Sequence, residues 1–210
     1  MDTRFGLTPK EAKIFERLRT PLKIQDFLDT LPINFEKGGE THRSPRMALR
    51  ARKAHCIEGA LIAATALWYH GKKPLIMDLM AERGDDDHVI ALYQYRGYWG
   101  ALSKSNHATI RSRDPVYKTL RELALSYFHE WFPPSGKKTL RSYSVPLNMA
   151  RFGVDWITSE KDLWWLDAKL NALPHYPIAP PQNLRVVRRA DPIERRAGSI
   201  IEWQKKDKQT

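Results

Sequence analysis

Residues 56–71 read CIEGALIAATALWYHG. Ile57, Ala60, Leu61, Ala64, Leu67 and Trp68 recur at the three- and four-residue spacing of one helix face. Ile62, Ala63 and Ala66 make the opposite face apolar as well. A helix that is apolar nearly all round has to be covered on more than one side, so this stretch predicts a central, buried helix. Gly71 is a suitable stop for it. The run is too short to cross a bilayer, and it carries Glu58.

Strand patterns follow at once. PLIMDLM (74–80) is the first, and an acidic turn from Glu82 to Asp87 leads to the second, HVIALYQY (88–95). Arg96–Gly97 fits a two-residue hairpin loop into the third, Tyr98–Ser103. Upstream, Thr8–Pro9 and Pro21 open short helices that end by Leu31, and the basic segment Met47 to Lys53 is either helical or irregular. Downstream, Asp114–Pro115 predicts a helix running to Pro133. Ser159 with Asp162 predicts a capping box for another helix ending near Leu173. The expected fold is therefore α+β: a central buried helix on a small antiparallel sheet, with additional flanking helices. Residues 1–181 form a single domain, with N-terminal helices 8–31, core 46–106 and C-terminal helices 114–173. Residues 182–210 form a basic tail, extended or partly disordered.

The 210 residues carry a formal net charge of +11. From Asn183 onward there are eight Lys and Arg against four Asp and Glu, so part of the excess belongs to the tail. Such a balance allows an acidic partner such as nucleic acid, but no helix-turn-helix, zinc-finger or aromatic RNA-binding signature supports one. The N-terminal MDTRFGLTPKEAK lacks the pattern of a signal peptide, and a single cysteine cannot make an internal disulfide; both fit a cytoplasmic protein. No membrane association is expected. His42, His55, Cys56, His88 and Asp85–Asp87 lack zinc-ligand spacing, and the glycine loops that cradle phosphates are absent, so neither a metal nor a cofactor is expected.

Cys56 stands at the start of the central helix, where partial positive charge and free N–H groups favour a thiolate. Arg50, Arg52, Lys53 and His55 add positive charge nearby in sequence. If the hairpin turns at Arg96–Gly97, Leu92 pairs with Ala101, and His88, Ser103 and Ser105 share one face. His88 is then the candidate base, and Ser103 or Ser105 the nearest group to fix its tautomer. Asn106 is chemically apt but needs a one-residue slip. The plainer alternative is that Cys56 is a small buried hydrophobe.

The order of these elements over residues 46–106 resembles the transglutaminase-like superfamily, within the papain-like cysteine-proteinase fold. In CIEGALIAATALWYHGKKPLIMDL the helix and first strand are similar to the family's, and in HVIALYQYRGYWGALSKS the histidine hairpin with its tryptophan is. The resemblance implies Cys56 as nucleophile and His88 as base. Counting from Trp99, the family's aspartate falls on Ser103, which supplies no negative charge. Asn106, Asp78 from the adjoining strand, or Ser103 with a water are the alternatives for that role, with Asp87 ranked below them. The implied activity is cysteine hydrolase or acyltransferase chemistry on amide or acyl bonds, with a protein or peptide substrate. The alternative is an inactive domain of the same fold that binds a protein or peptide. The oligomeric state is left open.

Overall fold

The computed structural model describes residues 4–204. Among them the chain is mixed α+β, with nine α-helices around an antiparallel sheet of seven strands. The N-terminal part is helical: α1 (Pro9–Arg17), α2 (Pro21–Thr30) and α3 (Pro45–Ala51) lead to α4 (Cys56–Tyr69). Thr8, Thr20 and Ser44 each accept a backbone N–H at the start of the first three, and each is followed by proline at the first helical position.

Helix α4 is the central helix, buried at every residue from Ile57 to Leu67. It lies on β1 (Leu75–Ala81) and β2 (His88–Tyr95), with α1, α2 and α3 packed around it. The hairpin turns at Arg96–Gly97, both with positive φ (49° and 84°), into β3 (Tyr98–Leu102). Leu92 faces Ala101 and Tyr95 faces Tyr98, the unslipped register. The sheet continues through β4 (Arg113–Tyr117), then α5 (Leu120–Phe128), β5 (Leu140–Ser144) and β6 (Leu147–Asn148). After α6 (Asp155–Thr158) and α7 (Trp165–Asn171) comes β7 (His175–Pro177), followed by α8 (Pro181–Leu184) and α9 (Pro192–Gly198). The strand order is β4-β3-β2-β1-β5-β7, with β6 also pairing β1.

Alternate residues along each strand enter different cores. Ile76, Val89, Ala91 and Leu102 join the core with α1, α2 and α4. Met77, Ile90, Leu92 and Ala101 join the core with Leu123, Ala124 and Tyr127 of α5. Both faces of the central strands are covered, which is why VIAL (89–92) is a continuous apolar run rather than an alternating one.

Several expectations are corrected. Arg113–Tyr117 is strand β4, and the following helix starts only at Leu120, capped by Thr119. Pro115 sits in the sheet's edge strand, where a missing N–H is tolerated. The predicted helix from Ser159 does not form: the Ser159 hydroxyl accepts from Lys161 N, Asp162 accepts from His42 N at 2.9 Å, and the helix begins at Trp165. The tail from 182 to 204 is not extended throughout, since it holds most of α8 and all of α9. Ala190 is buried, with Leu184 and Val187 packed beside the second core. Asp191 and Glu194 form the capping box of α9. Charge density masked these sparse apolar anchors. Residues 205–210 of the predicted tail lie outside the described residues. No helix among the described residues is long and apolar enough to cross a membrane.

Candidate active site

Cys56 is the first residue of α4, half-buried, at the wall of a cavity of about 700 Å³. Two imidazoles serve its thiol. Burial pushes the thiol up, but hydrogen bonding from His55 and His88, with their positive charges, holds it well below the usual thiol value. His55 Nδ1 lies 3.9 Å from Sγ. Burial works against the charged ring of His55, yet the thiol, Glu58 and Glu36 outweigh it and lift its pKa to about 9. Its Nε2 donates to the Thr41 carbonyl at 2.7 Å, which fixes the ring.

The platform beneath His55 is a buried carboxylate. Glu58 accepts from the His55 backbone N–H at 3.0 Å, the Thr41 hydroxyl at 2.9 Å, Asn34 Nδ2 at 3.3 Å and the Arg43 N–H at 3.3 Å. One side chain thus closes the helix start and anchors the loop 34–43 against it.

His88 opens β2 and is buried. Its Nε2 lies 2.7 Å from Ser103 Oγ, while that hydroxyl donates to the Ile110 carbonyl at 3.2 Å. With its proton spent on Ile110, Ser103 accepts from Nε2–H, and Nδ1 lies outside that contact. Trp131 packs edge-on against the ring, centroids 5.9 Å apart. Ser103 is itself clamped: Gln25 of α2 donates to its carbonyl at 2.9 Å and accepts from its N–H at 3.0 Å.

Cys56, His88 and Ser103 are therefore brought together. Asn106 is not: its amide donates to Trp203 O at 3.0 Å and accepts from Trp203 N at 2.8 Å, so it fastens the C-terminal segment and has no hold on His88. Asp78 turns to His175, 3.1 Å away, and burial raises its pKa to about 6 against that partner's pull. Asp87 accepts from Ala81 N, and Ser105 from His107 N. Sequence reasoning missed His55 as a direct partner of the thiol, although it is the adjacent residue, and missed Gln25 entirely. Among the described residues no group of three or more His, Cys, Asp or Glu side chains is arranged to hold a metal ion.

No family model matches this sequence, and no curated protein matches it.

Proposed function

We propose that the chain is a cysteine enzyme of transglutaminase-like or papain-like type, acting on an amide or related acyl bond of a protein or peptide. The observation that carries this reading is the thiol of Cys56, placed at a helix N-terminus and served by two imidazoles, one of them held by Ser103. His55, engaged through both ring nitrogens, is a fixed positive charge that keeps the sulfur ionised. The thiolate attacks the acyl carbon, and the free N–H groups at the start of α4 receive the oxyanion. Charged His88 gives its Nδ1 proton to the leaving amine as the carbon–nitrogen bond breaks, leaving a thioester on Cys56 and a neutral ring. Neutral His88 then takes a proton from water or an amine as that group attacks the thioester. Thiolate and charged ring are restored, and an acid or a new amide leaves.

Ser103 stands where the resembling family carries aspartate. Its hydroxyl fixes the tautomer of His88 but contributes no negative charge, so the imidazolium is steadied less than in a triad with a carboxylate. Turnover slower than such a triad gives is the expected consequence.

Alkylation by iodoacetamide between about pH 4 and pH 10 tests the site. Rapid labelling of the folded protein below pH 7, slowed in His88→Ala, is the expected result. Labelling that rises only above pH 8, unaltered by the variant, refutes the enzyme and leaves a binding domain of the same fold.

A further inference from the structure

The cavity at Cys56 is ringed by charged groups of both signs: Asp85, Asp86, Asp87 and Glu130, against Lys104, Arg195 and Arg196. Three of the four acids have hydrogen-bond partners of their own. Asp85 accepts from the Thr139 hydroxyl, Asp87 from Ala81 N at 2.7 Å and Glu130 from Arg113 at 2.6 Å, while Asp86 is exposed to solvent. The bases differ. Arg195 and Arg196, on α9, are exposed and form no ion pair among the described residues. Lys104 is wholly buried, and its Nζ has no hydrogen-bond partner among the described residues.

Lys104 follows Ser103 directly and lies across α4 at Gly59, one helical turn beyond Cys56. A Cβ on Gly59 would overlap the Lys104 Cβ, so the absence of a side chain there lets the lysine stem seat against the helix. A buried ammonium with all three donors unused is costly unless something arrives to accept from it. Burial pulls the amine's pKa down, and the carboxylates of Glu202 and Asp29 act on it only at a distance. Both of those carboxylates are bonded to Arg111, at 3.0 and 2.8 Å.

We propose that Lys104 is the carboxylate-binding group of the Cys56 cavity, so that the acyl donor carries a carboxylate beside its reacting carbonyl. This rests on Cys56 being the nucleophile proposed above. The uncommitted arginines of α9 complete a basic wall that draws such a donor in.

Two alkylating reagents that differ in this one group form the test. Rates for iodoacetate and iodoacetamide at Cys56 are compared with those for glutathione at the same pH, in the wild type and in Lys104→Met. The wild-type ratio of iodoacetate to iodoacetamide is expected to exceed the glutathione ratio by about tenfold. Lys104→Met should return the ratio to the glutathione value. A wild-type ratio equal to that of glutathione, or one that Lys104→Met leaves unchanged, overturns the carboxylate site but not the nucleophile. Labelling near neutral pH by iodoacetamide no faster than that of glutathione overturns both. Should Lys104→Met fail to fold, protection of the wild type decides: succinate slows iodoacetamide labelling and succinamide does not, whereas equal effects of the two refute the site.

Discussion

His55 and Cys56 hold one proton between them in the folded protein, on nitrogen rather than sulfur, and this sets how the pair's stability follows pH. His55 is raised from an ordinary 6.5 to about 9, so alone it would stabilise below 6.5 and lose that contribution as pH rises through about 9. Cys56 is lowered well below its ordinary 9.0, so alone it would stabilise above 9 and lose that contribution as pH falls through its folded value. Between 6.5 and 9 the unfolded chain keeps one proton on sulfur and the folded chain one on the ring, so the two slopes cancel. The stability difference between wild type and Cys56→Ala, from urea denaturation, should therefore be level from 6.5 to 9 and shrink on acidification below 6.5. A difference that stays level below 6.5 would mean a protonated thiol in the native state. At this scale Cys56, His88 and Ser103 were legible, because each follows from a helix start or from hairpin parity. The role of His55 was not: adjacency in sequence says nothing about where an N-cap ring turns.

Helix α2 reaches the site through one side chain. Gln25 meets the backbone of Ser103 with both its donor and its acceptor, and so holds the residue that holds His88. Gln25→Leu keeps the bulk but strands a buried N–H and a buried carbonyl, at about 1–3 kcal/mol for each group left unpaired. Urea denaturation should register that loss, and iodoacetamide labelling of Cys56 near pH 6 should slow severalfold because the ring of His88 is no longer aimed. A variant that labels at the wild-type rate would mean that Ser103 keeps its place without α2. The elements with strong local signals were readable: α4 from its all-round apolarity, the hairpin from Arg96–Gly97, α1 from Thr8–Pro9 and α2 from Pro21. β4 was misread as a helix start because Asp114–Pro115 has the same chemistry at a strand edge. The short strands β5, β6 and β7 have little pattern of their own and are fixed by pairing with distant partners.

Over the whole molecule, the chain after β7 returns to the end of the sheet where β2 opens and Cys56 lies. Ala190 N donates to Gly136 O at 2.8 Å, His107 and Ile201 form an antiparallel bridge, and Asn106 grips Trp203 at both backbone groups. Asn106→Ala should raise the hydrogen-exchange rate at Trp203 while leaving Val89 to Leu92 protected; unchanged exchange at Trp203 would show that the bridge alone suffices. None of this return was visible in a sequence whose charge reads as a solvated tail, since the anchors are single residues matched to loops far away. The Gln25–Ser103 clamp has one further consequence, in the time domain. It joins positions 78 residues apart, so its loop-closure entropy must be met before the contact forms. Secondary structure can be regained while His88 is not yet held in place beside Cys56. In refolding from urea, helical circular dichroism should recover first, with rapid iodoacetamide reactivity lagging behind it. Simultaneous recovery would place the docking of α2 on Ser103 within the earliest folding event.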